Sequence, residues 1–257
     1  NKKDIDEAFV KLEHSRDKIL NIIDLFYNSR VNYERKTNYV ALINKDYNFI
    51  DGFIETAKGT VITEENYGDH FEKVVLPYGT ADAVKWESED YLVGALARMN
   101  VNRENLHHKT KKDVSKYLHI FPSNNIFDNN LSQAIEMLHI VDSSAEMLKN
   151  LRNKLKKENP AKIIPKKGRG IGVIEAPRGT LYYSLDFDEK GTVTRCELCI
   201  PTQQNIIHLE KNVARYIEEL IKKKMNKEEL SLEVEKVIRA YDPCMSCATH
   251  FLKIDWS

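Results

Sequence analysis

The chain has 257 residues, with 39 Lys plus Arg balanced by 39 Asp plus Glu and a formal net charge of zero. That length allows one large domain or two small ones with a sizeable core. The neutral balance gives no electrostatic reason to expect a nucleic-acid or membrane-surface binder. At 42% hydrophobic and 30% charged the composition is that of a folded chain, and no apolar run approaches the ~18 residues of a membrane helix.

The first residues, "NKKDIDEAF", lack both the apolar core of a signal peptide and an initiator Met. They fit a processed, split or truncated chain. Residues 5–29 place Phe9, Leu12, Ile19, Ile22, Ile23 and Phe26 at helical spacing. From 38 to 63 the runs "NYVALI", "YNFIDGFIE" and "GTVIT", broken by Gly52 and Gly59, predict a small antiparallel meander. Residues 64–130 have no long period and are rich in His, Asn and Tyr, so short helices and ordered loops are expected there.

Helix returns over 130–157, where Leu131, Ile135, Leu138, Val141, Ala145, Leu148, Leu151 and Leu155 trace a buried face. Pro160, Pro165 and the following glycines end it, and the lysines of that stretch read as a solvated helix end. Alternation and turn signals predict two or three strands over 171–200. "GRGIG" at 168–172 lacks the glycine offsets of a phosphate loop and leads into strand-like residues. Two helices are predicted over 206–224 and 227–240. The class is α+β, mainly helical, with two small antiparallel sheet patches.

The four cysteines form two Cys-x-x-Cys pairs, Cys196 with Cys199 and Cys244 with Cys247. They are too few for a disulfide scaffold and read as reduced thiols in a cytoplasmic protein. A zinc site built from both pairs has suitable ligand types but a long gap between them. Haem attachment needs His directly after the second Cys, and Ala248 and Thr249 intervene. A thioredoxin-like dithiol belongs at the start of a helix after a strand, whereas Cys244 follows a predicted helix. On a strand, Cys196 and Cys199 point to opposite faces and are expected to be two buried structural cysteines. The histidines at 107 and 108 are read as surface or core residues.

"YDPCMSCATH" at 241–250 resembles the Asp-Pro-Cys-x-x-Cys-x-x-His signature that closes the large subunit of nickel–iron hydrogenases. "GVIEAPRGTLYYSLDFDEKGTVTRCELCIPTQQN" resembles the family's Glu-Ala-Pro-Arg-Gly strand and Pro-Thr segment. "YLVGALARMNVN" at 91–102 is a third, weaker block in the same order. The style is that of the cytoplasmic archaeal-type branch, which includes heterodisulfide-reductase-linked and deazaflavin-reducing enzymes. The family's Arg-x-Cys-Gly-x-Cys motif has no counterpart here. The resemblance therefore implies one domain over 1–257, the C-terminal portion of a large subunit. The second cysteine pair is then supplied by another chain or an upstream segment.

The same resemblance implies the following roles. Cys244 is a terminal nickel ligand and Cys247 bridges nickel to an iron carrying cyanide and carbonyl. Arg178 overhangs the metals and Asp242 orients it. Pro177 and Thr202 line the cyanide ligands. His250, with the carbonyl of Leu198, holds a structural magnesium or similar ion. Electrons leave through iron–sulfur clusters of a small subunit, which this chain lacks the cysteines to hold, toward a flavin or deazaflavin module. Residues 251–257 are a tail that a maturation protease removes. Two other readings stay open at this level: a non-enzymatic zinc- or iron-binding protein using all four cysteines, and a metal-free scaffold.

Overall fold

The computed structural model describes residues 1–79, 81–156 and 159–248. Two 27-residue helices form its frame: α1 (Lys2–Asn28) and α4 (Asp128–Lys154). The Asn1 side chain accepts the amides of Lys3 (2.8 Å) and Asp4 (3.2 Å), satisfying donors that a helix start leaves open. Arg152 pairs with Asp6, Arg16 with Asp142 and Arg30 with Asp128, so α1 and α4 run antiparallel. Between them lie Ile19, Ile23, Leu131, Ile135 and Leu138, the apolar positions that the periodicity singles out. Two short helices, α2 (Ala95–Asn102) and α3 (His108–Val114), precede α4. The chain then closes with α5 (Pro201–Lys222) and α6 (Lys227–Ala240).

The meander expected over 38–63 is present as β1 (Asn38–Ile43), β2 (Phe53–Thr56) and β3 (Val61–Ile62). A two-residue strand at Tyr91–Leu92, β6 in chain order, adds to β1 in parallel. Because side chains alternate along a strand, β1 serves two cores at once. Tyr39 and Ala41 join the helical core, while Val40 and Leu42 join a smaller cluster with Ile54, Tyr67, Trp86, Tyr91 and Tyr182.

The region expected to hold only short helices and loops also carries a hairpin, β4 (Phe71–Val74) with β5 (Ala83–Trp86). The sheets among the described residues thus number three, not two. The third is the antiparallel sheet of β7 (Gly168–Ala176), β8 (Gly179–Phe187) and β9 (Val193–Cys199). The α+β class holds. Helix α5 begins five residues before its apolar periodicity does, at Pro201. Proline is suited to a first helical position because its fixed φ matches and its missing N–H is not needed there. No helix among the described residues is long and apolar enough to cross a membrane.

Candidate functional site

The tip between β7 and β8 is the segment Glu175-Ala176-Pro177-Arg178-Gly179. Its underside is fixed by Arg98 of α2, a fully buried guanidinium. Arg98 Nε and Nη2 donate to both oxygens of Glu136 on α4 (2.6 and 2.7 Å), and Nη1 donates to Glu175 Oε2 (2.5 Å). The same guanidinium also donates to the carbonyls of Ala176 (3.1 Å) and Pro177 (3.2 Å). Glu175 Oε1 accepts the Leu42 amide and the Thr180 hydroxyl, each at 2.8 Å. Burial raises the Glu175 carboxyl pKa, opposed by Arg98 and these donors. A buried charge persists only when paired and hydrogen-bonded, and this one meets both conditions.

Two glycines let the tip seat closely. Gly94 (φ 121°) and Gly179 (φ 137°) face each other, and a Cβ on Gly94 would stand 3.0 Å from the Arg178 carbonyl oxygen. Both positive φ values favour glycine. The weak block at 91–102 and the Glu-Ala-Pro-Arg-Gly block are therefore packed against one another.

Above the tip, Arg178 Nε donates to the Asp242 carbonyl (2.6 Å) and Nη2 to its carboxylate (3.1 Å). The pairing expected of these two residues is present. Asp242 ends α6 at φ 49°, a left-handed position where glycine is usual. Here an aspartate sits there, and both its carbonyl and its carboxylate serve Arg178. Tyr241, just before it, is anchored by His208 Nδ1 (2.6 Å) and by Asn212. Burial pushes the His208 pKa down to about 3, with Arg35 adding to the shift, so the ring is neutral.

The chain then turns through Pro243 into the cysteines. The Cys244 amide donates to Thr202 Oγ1 (3.3 Å) at the start of α5, and the Cys247 amide closes a turn on the Cys244 carbonyl (3.1 Å). The sequence alone suggests reduced thiols in both pairs. In the structure Cys244 and Cys247 are bonded to each other, their Cα atoms 5.4 Å apart, because this turn brings the sulfurs into contact. A metal takes cysteine as thiolate, so the two serve one only when reduced. The same turn then lets both sulfurs reach a single ion. The chemistry of the donor set fits two thiolates of a nickel–iron centre, and thiolate is a ligand that nickel and iron accept.

The expected residues thus gather in part. Arg178, Asp242 and Thr202 meet at one small cleft, which Arg178 and Thr202 line together with Pro243, a residue outside the expected set, while Asp242 clamps Arg178. Pro177 lies beneath it, its carbonyl taken by Arg98. Leu198 is on β9, paired with Tyr183 and partly exposed. Its expected partner His250 lies outside the described residues, as does the tail at 251–257.

Cys196 and Cys199 do point to opposite faces, but only one is buried: Cys196 is exposed, a correction to the expectation of two buried cysteines. Strand β9 lies at the edge of its sheet, with one face open. Cys199 sits in the smaller core, where burial raises its thiol pKa well above the ordinary range. A four-cysteine zinc site would need both on one face as thiolates, and this geometry denies it.

Sequence reasoning missed Arg98, Glu136 and the polar start of α5. Asn205 accepts the Val93 amide (2.9 Å) and donates to the Val93 carbonyl (3.1 Å). Gln204 donates to the Thr180 carbonyl (2.6 Å) and accepts the hydroxyls of Tyr67 and Tyr91. The sequence carried little signal for the Arg98–Glu136 pair: Glu136 shares its face of α4 with Ser132 and His139, away from the leucine stripe, and so reads as solvent-facing.

With this geometry in place, the comparison with known proteins is direct. The family model of nickel-dependent hydrogenases matches residues 36–250, and the chain belongs to that family. Among its relatives, the alpha subunit of sulfhydrogenase 1 from Pyrococcus furiosus is 28% identical over 81% of this chain and 48% of its own length. The beta subunit of the NAD-reducing hydrogenase from Cupriavidus necator is 32% identical over 73% of this chain and 40% of its own. The fold matches a solved NAD+-reducing [NiFe]-hydrogenase in its H2-reduced state, with a TM-score of 0.71 at 21% identity. That match covers 97% of this chain and 57% of the other. The chain spans about half the length of the curated relatives it matches.

Proposed function

We propose that this chain is the metal-holding C-terminal portion of a nickel–iron hydrogenase large subunit, and that Cys244 and Cys247 supply two of the four thiolates of its metal centre. The observation that carries the reading is the placement of Arg178, clamped by Asp242, in one cleft with Thr202 and Pro243, directly ahead of the Cys244–Cys247 turn. A nickel–iron centre with cyanide and carbonyl on its iron supplies the metal chemistry for heterolytic cleavage of dihydrogen.

The chain's own residues do the rest. The Cys244 thiolate can accept a proton at Sγ. The Arg178 guanidinium adds fixed positive charge where charge separates, an effect that is large in a site closed to water. Its high intrinsic pKa makes it a poor resting base, so its work is electrostatic. Asp242 holds the fork in one orientation. The hydroxyl of Thr202 and the segment at Pro177 stand ready to line diatomic ligands. His250 and the Leu198 carbonyl are proposed for a structural magnesium or similar ion.

The missing cysteine pair comes from another chain or from an upstream segment. A small subunit carries the iron–sulfur clusters, with a flavin or deazaflavin module beyond it, and a maturation protease acts on 251–257 in the cytoplasm. The relatives' names differ in the acceptor, NAD in one and not F420 in others, such as the enzyme of Methanothermobacter thermautotrophicus. Partner chains, not these residues, then choose where electrons go.

The test is metal analysis and infrared spectroscopy of the purified complex. Nickel and iron in equal amounts, with cyanide and carbonyl bands lost in Cys244→Ser, are expected. One zinc per chain with no nickel overturns the proposal, as does undiminished hydrogen oxidation by Cys244→Ser.

A further inference from the structure

Away from the cysteines, two adjacent histidines meet a carboxylate. His107 caps α3, His108 is the first residue of that helix, and Glu146 projects from α4. One donor atom from each lies within 4.8 Å of the others, and no other trio of His, Cys, Asp or Glu does so among the described residues.

Rigid parts hold two of the three. The His107 amide donates to Nδ1 of buried His139 (2.9 Å), so the His139 proton is on Nε2, facing the Tyr47 carbonyl (3.0 Å). Glu146 stands seven residues beyond His139 on α4. That is two turns, which puts both on one face. One of them seats the His107 backbone and the other meets its ring, with His107 Nε2 2.8 Å from Glu146 Oε2. The His108 ring lies beside the His107 ring, centroids 4.3 Å apart.

We propose that His107, His108 and Glu146 bind a divalent ion of the zinc class, with water completing the shell. Two imidazoles and a carboxylate are a donor set that borderline divalent ions take readily. In the metal-free trio a proton lies between His107 Nε2 and Glu146. The ion takes that proton's place at Nε2, and the ring takes one up at Nδ1 from solvent as it gives this one to solvent, so it stays neutral with no net proton release. Nitrogen and oxygen ligands on a tetrahedral ion stand ~3.3 Å apart, so the His107–Glu146 pair opens by about half an ångström. With its one proton now on Nδ1, the ring no longer accepts the Lys109 amide there, a 3.3 Å contact that is the longest hydrogen bond of that ring. Exposed His108 and Glu146 are free to close on the ion, which then staples the start of α3 to α4.

The test is zinc titration of the full chain carrying Cys244→Ser and Cys247→Ser, which removes thiolate binding. One zinc per chain is expected to remain. His108→Ala or Glu146→Gln in that background should weaken it about tenfold or more, by at least the loss seen when outer ligand supports are removed. In the same double variant, nitrogen-resolved NMR should show the His107 and His108 ring signals shifting with the first equivalent. No zinc bound in the double variant, unchanged affinity in either ligand variant, or ring signals that do not move overturns the proposal.

Discussion

Two arginines meet at the β7–β8 tip, one gripping it and one projecting from it, and they are built differently. Arg98, below, has 2% of its side chain exposed and is held by two carboxylates and two carbonyls. Arg178, above, has 41% exposed and is held by one residue, Asp242, itself 38% exposed. The lower guanidinium has its donors committed and belongs to the scaffold. The upper one is oriented yet still faces outward, as a group must if it is to act on something that arrives. The same side chain thus supplies rigidity in one place and accessible charge in the other, and burial decides which.

Replacing the lower arginine should have the largest effect. Arg98→Ala leaves Glu136 and Glu175 buried without their cation, and breaking such a pair costs about 3–5 kcal/mol. Denaturant titration is expected to show this loss; a cost under about 1 kcal/mol would erase the contrast. Glu175→Gln is the milder probe. One end of its amide must present N–H either to Arg98 or to the Leu42 amide, both donors. An expected cost of about 1–3 kcal/mol follows from the mispaired group and is readable from the same titration.

The upper side has its own hidden support, and pH tests it. Folded His208 has a pKa of about 3 against an ordinary 6.5. Its folded value is depressed, so below 6.5 the unfolded chain takes up a proton that the folded chain refuses. Stability is therefore full above pH 6.5 and falls as pH drops from there toward 3, by about 1 kcal/mol per unit. Thermal melts of His208→Gln should lose that part of the slope. The smallest stability effect belongs to Arg178→Gln. An exposed pair contributes about 0.5 kcal/mol, so melting should barely move, while hydrogen oxidation by the assembled enzyme falls about 100-fold. A large loss of stability here would make Arg178 a second Arg98.

Much of the frame was legible in the sequence because its helices bury regular apolar faces. Helices α1, α4 and α6 fall close to their periodic runs, and the strands of the third sheet fall where turn signals bracket them. Helix α5 starts early because residues 203–205, Gln-Gln-Asn, are buried for hydrogen bonding, which apolar periodicity cannot see. The β4–β5 hairpin was missed because two four-residue strands are too short to display alternation. In the site, Arg178 with Asp242 and Cys244 with Thr202 were within reach because each lies inside a recognisable block. Arg98 with Glu136 was not, since a charge on a helix reads as surface until its neighbours are known.

The side chain of Asn205 has one more consequence. Sheet β3-β2-β1-β6 ends at β6, and an open strand edge offers unpaired amides and carbonyls to any passing chain. Just beyond β6, Asn205 gives the amide and carbonyl of Val93 the two partners that a neighbouring strand would give. Helix α5 covers that edge, Tyr91, Leu92 and Val93 being buried, and a single carboxamide at its start does the pairing of the absent strand. Asn205→Leu, similar in size but unable to pair, should leave the buried Val93 amide and carbonyl unsatisfied and cost about 1–3 kcal/mol in denaturant titration.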